Sequence, residues 1–178
     1  MLNKIMLKKM LVTFGFATFG AIFTAQAGPP LLCHPYNIGA AQSLPWGTSA
    51  AAGWDNPDAS YNLQQLSADT LRLLNEKTPV LVRMETLRRA TIYGEKDHRA
   101  VTELLSNLRK RAQEGNTLAL FDYGYLVESI KQMQWKYKED ITNGADGYSF
   151  VTKALAREPG SVEIRNAADV IASSKPAK

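Results

Sequence analysis

The sequence predicts an all-α protein: a bundle or short solenoid of helix pairs behind an irregular N-terminal segment. Two observations carry that expectation. From residue 61 onward, apolar residues recur three and four positions apart in successive stretches, the spacing that keeps one helix face toward a core. Nowhere does the chain alternate apolar and polar residues with the two-residue period of a half-buried strand. A third observation places the irregular part: residues 28–60 are rich in proline, glycine, serine and alanine and show no period.

In chain order, residues 1–27 read as a secretory signal peptide. Lys4, Lys8 and Lys9 precede the apolar run from Leu11 to Ala25, and Ala25-Gln26-Ala27 offers small residues at a cleavage site. The run is shorter than the roughly 18–20 residues of a membrane span. The expected product starts at Gly28, exported to the periplasm or the medium, with no transmembrane segment. Leu32 before Cys33, with Pro29 and Pro30 upstream, is unsuited to a lipoprotein signal, which places a small residue before its cysteine.

The charge balance follows from the same boundary. Of 21 basic and 17 acidic residues, three lysines and no acid lie in the first 27 positions, so the remainder is nearly neutral. The basic character of the whole chain is therefore no signal for nucleic acid. One cysteine allows no internal disulfide, and about 150 residues suffice for a single apolar core.

Within residues 28–60, Trp46 and Trp54 are the groups expected to pin the segment onto the helical part. The helical domain is expected over 61–173. Ser67 reads as the cap of a short helix with Asp69 in its first turn, and Thr78-Pro79 as the start of a second. That second helix carries Val80, Met84 and Leu87 on one stripe, sets Glu85 to pair with Arg88 and Arg89, and stops at Gly94. Asp97 opens a third helix with the clearest stripe in the chain, Val101, Leu104, Leu105, Leu108 and Ala112, ended by Gly115. Thr117 opens a fourth that is apolar on two sides, which predicts a central position. After a polar stretch with the turn dipeptides Asn143-Gly144 and Asp146-Gly147, two closing helices span about 147–157 and 161–172, separated by Pro159-Gly160. Residues 174–178 form a short polar tail.

Gly147, Val151, Ala154 and Pro159 fall at the spacing of the second helix of a tetratricopeptide repeat, and Leu120, Gly124 and Val127 loosely match a first helix. The chain thus resembles that repeat over one degenerate unit, with about a dozen residues where the family has a tight turn. The resemblance implies stacked helix pairs and a protein or peptide partner. A second resemblance rests on GPP-LLCHP followed by IG and SLPW, and on VRMETLRRA at 82–90. It is similar to a group of small secreted bacterial proteins of unknown activity, which implies export and a helical fold but no mechanism.

Several residues are candidates for chemistry. Cys33 beside His34 can be read as part of a docked structural segment, as a reactive thiol able to form an intermolecular disulfide dimer, or as the seed of a metal or catalytic centre. The structural reading leads, because the other histidine, His98, is far along the chain and a metal site needs three or four ligands. From Arg83 to Arg111 there are eight basic and four acidic residues, read either as a solvated helix face or as a positive groove. The aromatic set Tyr93, Phe121, Tyr123, Tyr125, Trp135, Tyr137 and Tyr148 is read mainly as helix packing, with a share available to a concave binding surface. ITNGADGY lacks the carboxylate positions and closing glutamate of a calcium loop.

These readings converge on an exported, helical binding or scaffold protein recognising a protein or peptide in the cell envelope. It is expected to use no cofactor and to be no enzyme, with a partner face drawn from Arg88, Arg89, Tyr93, Tyr123 and Trp135. The alternative is a thiol- or metal-dependent activity centred on Cys33 and His34.

Overall fold

The computed structural model describes residues 29–49 and 53–174; the expected signal peptide, and the tail beyond Ser174, lie outside them. Among the described residues the chain is all-helical. A 3-10 turn, Leu63–Gln65, leads into α1 (Leu66–Leu73), followed by α2 (Val80–Gly94), α3 (His98–Gln113) and α4 (Thr117–Gln132). A single turn, α5 (Gln134–Tyr137), and then α6 (Gly147–Arg157) and α7 (Val162–Ser173) complete it. No described helix is long and apolar enough to cross a membrane.

Local capping explains several boundaries. The Asp97 carboxylate accepts from the amides of Arg99 and Ala100, and the Asn116 side chain from those of Leu118 and Ala119. Asp146 and Ser161 cap α6 and α7 in the same way. Gly115 ends α3 region with φ of 87°, a conformation that favours glycine.

Three expected boundary roles are corrected. Ser67 does not cap α1: it lies inside the helix, buried, accepting from Asn107 Nδ2 at 3.1 Å. The helix is already started by the 3-10 turn, whose amide at Gln64 is held by Asn62. Thr78 does not cap α2 either; its hydroxyl donates to the Leu73 carbonyl at 2.6 Å, and Pro79 takes the cap position. Gly94 is the last residue of α2, but not as a left-handed stop: the position is glycine because there is no room for a side chain. A Cβ there would lie 2.5 Å from Val101 Cβ and 2.6 Å from the Tyr137 hydroxyl.

The apolar stripe of α3 is buried as its spacing requires. α4 is buried from Ala119 through Ile130, as a helix with two apolar sides must be, and packs on α2, α3 and most extensively α6. The α4–α6 approach depends on two glycines. A Cβ on Gly124 would meet the Gly147 carbonyl oxygen at 2.5 Å, and the reciprocal approach is as close. The side chain of either would push the helices apart.

The N-terminal segment is more than a surface tether. Leu31, Leu32 and Leu44 are fully buried and belong to the same core as the helices. One antiparallel bridge, Trp46 to Pro57, folds the segment back on itself, with the Gly47 amide donating to the Asn56 carbonyl at 2.9 Å.

Candidate functional site

The charges of α2, read as part of a solvated face or of a positive groove, lie on a helix that is buried almost throughout, and they organise two separate polar clusters. The first holds the N-terminal segment. Glu85 is fully buried and accepts four hydrogen bonds: Arg88 Nε at 2.7 Å and Nη2 at 2.9 Å, Arg89 Nε at 2.7 Å, and the Tyr36 amide at 3.1 Å. Arg88 Nη1 donates to the carbonyls of Leu32 and Trp54, both at 3.0 Å, and Arg89 Nη1 to that of Leu44 at 2.6 Å. Both guanidiniums lie over the Trp46 ring, 4.9 and 5.4 Å from its centroid. The Tyr93 hydroxyl donates to the Pro45 carbonyl at 2.6 Å and accepts from the Asp58 amide at 3.0 Å. A segment without secondary structure leaves carbonyls unpaired, and these side chains supply the donors.

The expected partner face is therefore largely occupied by the chain itself. Arg88 and Tyr93 are buried beneath the segment, and Tyr123 is buried against Phe150, edge to face at 4.8 Å. None of the three is placed on a surface. Arg89 is half-buried with its guanidinium bonded as above. Trp135 alone of the five is open, 63 % exposed, with Lys136 Nζ 5.6 Å from its ring. Nor are Arg83 and Arg88 part of a solvated face, since each is buried and paired.

Cys33 and His34 stand at the rim of this cluster. Burial pushes the half-buried Cys33 thiol above its ordinary 9.0, the nearby Arg88 charge opposing it, so little of it is thiolate at neutral pH. His34 is exposed. His98 bonds Glu139 at 2.9 Å and stacks on Tyr137 at 4.9 Å, on a different element. Among the described residues no group of three or more His, Cys, Asp or Glu is placed to hold a metal ion.

The second cluster lines a cavity of about 340 Å³ between α1, α2, α3 and the start of α4. Its floor includes Asp122 and Arg83, joined at 2.5 Å between Asp122 Oδ2 and Arg83 Nη1, both nearly inaccessible to water. Arg83 spends its other donors on the backbone: Nε on the Thr78 carbonyl at 3.0 Å, Nη2 on that of Asn75. Asp122 Oδ1 is buried with no hydrogen-bond partner among protein groups. Arg111 reaches in from α3, bonded only to the Leu71 and Leu74 carbonyls at 3.3 and 3.5 Å. Leu71, Leu74, Leu118 and Ala119 give the wall an apolar part. Burial raises the Asp122 carboxyl to about 7, against the charges of Arg83 and Arg111 that would lower it. A buried group with a displaced titration, in a recess with converging polar groups, is what a binding site requires.

Sequence reasoning did not single out Asp122. The signal was present: a carboxylate in the middle of LALFDYGYLVE, a helix whose two apolar sides already predict burial, needs an unusual partner.

Among the described residues, fold and cavity together define an all-α protein with a preformed polar recess between α1, α2, α3 and α4. No family model matches the chain, and neither curated proteins nor solved structures provide a match.

Proposed function

We propose that the protein is exported and works without a catalytic step, as a helical binding or scaffold protein that recognises a peptide or protein partner in the cell envelope. The observation that supports this most is the α1–α4 cavity. Four helices hold its walls, and Arg111 at its wall makes only two long hydrogen bonds, to backbone carbonyls. A rigid frame around incompletely partnered polar groups favours ligand binding, because the ordering has been done during folding. The face of α2 is taken by the N-terminal segment, so recognition moves to the cavity mouth and to the open Trp135.

Photo-crosslinking tests this on the full exported chain, with the reactive residue replacing Leu118 at the cavity or Trp135. A defined adduct that an excess of unmodified protein competes away is the expected result. No competable adduct at either position overturns the reading. An adduct of the protein with its own copy supports the scaffold form of it.

A further inference from the structure

We infer that the α1–α4 cavity takes a carboxylate, the carboxyl end of a peptide or of a free amino acid, on the Nε–Nη2 edge of Arg111, with an aliphatic side chain against its leucines. The inference rests on the binding reading above and names the chemistry of the ligand.

Arg111 is the group that points to it. Its half-buried side chain leaves α3 and lines the cavity. Both of its hydrogen bonds come from Nη1, at 3.3 and 3.5 Å, to the carbonyls of Leu71 and Leu74 at the C-terminal end of α1. They form a weak cap on that helix and use one corner of the guanidinium. Nε and Nη2 meet no acceptor among the described residues, and no acidic side chain there closes an ion pair with Arg111. Those two nitrogens share one edge of a rigid plane, and a carboxylate matches that edge with two parallel bonds.

The rest of the cavity suits such a ligand. Leu71, Leu74 and Leu118 give an apolar wall for an aliphatic side chain. α4 starts on the same wall, at Asn116 and Leu118, and the positive end of its dipole favours negative charge there. Asp122 does not compete for Arg111, since its Oδ2 is bonded to Arg83 and its Oδ1 is buried. Glu76 and Glu114 are exposed at the rim, where water and salt screen their repulsion.

The same two glutamates set a limit on the charge that is welcome. A carboxylate brings one negative charge and Arg111 meets it. A doubly charged phosphate faces both glutamates with only Arg111 to answer it, because Arg83 is already paired. About 340 Å³ lies at the small end of the roughly 300–1,000 Å³ of ligand pockets, room for an end residue rather than for a length of chain.

The test titrates the full exported chain with two acid–amide pairs, N-acetyl-L-leucine against N-acetyl-L-leucinamide and L-leucine against L-leucinamide, and with inorganic phosphate. Amide chemical shifts around the cavity report binding. In at least one pair the acid is expected to bind about tenfold or more tightly than its amide, the difference made by one charge-assisted pair. N-acetyl-leucine binding as tightly as leucine identifies a peptide end as the source; leucine binding at least about tenfold more tightly identifies a free amino acid. Arg111→Gln removes only two long bonds within the protein and is expected to abolish the preference for the acid. The acid–amide comparison on the wild type reads the same chemistry with no variant. Equal binding of acid and amide in both pairs, a preference that survives Arg111→Gln, phosphate bound more tightly than either acid, or no binding of any probe in the millimolar range overturns the inference. Competable crosslinks at Leu118 or Trp135 that survive such a failure leave the binding function standing, whereas their absence removes both.

Discussion

Glu85 and Asp122 invite comparison: both are buried carboxylates, both are paired with arginines of α2, and their titrations move in opposite directions. Burial pushes each upward. For Glu85, hydrogen bonds from Arg88, Arg89 and the Tyr36 amide, with the Arg88 charge, outweigh it and hold the carboxyl below its ordinary range. Asp122 has one hydrogen bond, from Arg83, and burial wins, at about 7. Proximity to an arginine does not decide the state of a buried acid. What decides it is how many of its lone pairs are met. The cluster around Glu85 is closed and structural, while the one around Asp122 is left with an open valence.

The largest effect expected from this difference is at Glu85. Glu85→Gln strands two guanidiniums, one of them fully buried, and should cost about 3–5 kcal/mol by denaturant unfolding, with the N-terminal segment becoming susceptible to proteolysis first. A loss below about 1 kcal/mol would break the comparison.

Asp122→Asn comes next, and its effect should depend on pH. The folded protein holds the Asp122 proton more tightly than the unfolded chain, whose carboxyl titrates near 3.8. Wild-type stability from this group is therefore fully present below about pH 4 and declines as pH rises to about 7. Relative to the variant, the decline should be roughly 1.4 kcal/mol per unit across that window. Glu85 contributes with the opposite sign: its stabilisation is present above the ordinary glutamate range and lost as pH falls through its lowered value. Identical pH profiles for the wild type and Asp122→Asn would remove the open valence.

Arg89→Ala removes one of four bonds to Glu85 and the bond to Leu44, and leaves Arg88 in place. About 1–2 kcal/mol is expected. The smallest effect belongs to Arg111→Gln, under about 0.5 kcal/mol in stability given its long bonds. It should nevertheless raise the Asp122 titration further, because the Arg111 charge acts to lower it; carboxyl NMR chemical shifts would read this.

Much of the fold was legible along the chain. The α3 stripe, the caps Asp97 and the turn at Gly115, the central position of α4 and the span of α6 follow from spacings within one or two turns. The pairing of Glu85 with Arg88 and Arg89 was equally local. Its burial was not, nor was the carriage of Leu32, Leu44 and Trp54 carbonyls by the same arginines, because those partners lie 34 to 56 residues away. The candidate site shows the same limit. Arg83 and Asp122 are 39 residues apart, and nothing in either neighbourhood announces the other.

The sequence by itself determined that this chain is helical, where most helices run and which faces are apolar, since those depend on propensities and periods a few residues long. Only the tertiary structure decided that the irregular segment enters the core, that Arg88, Tyr93 and Tyr123 are interior groups, and that Asp122 keeps one oxygen without a protein donor. Those outcomes depend on which hydrogen bonds survive the removal of water, and that is settled only when distant parts of the chain pack together.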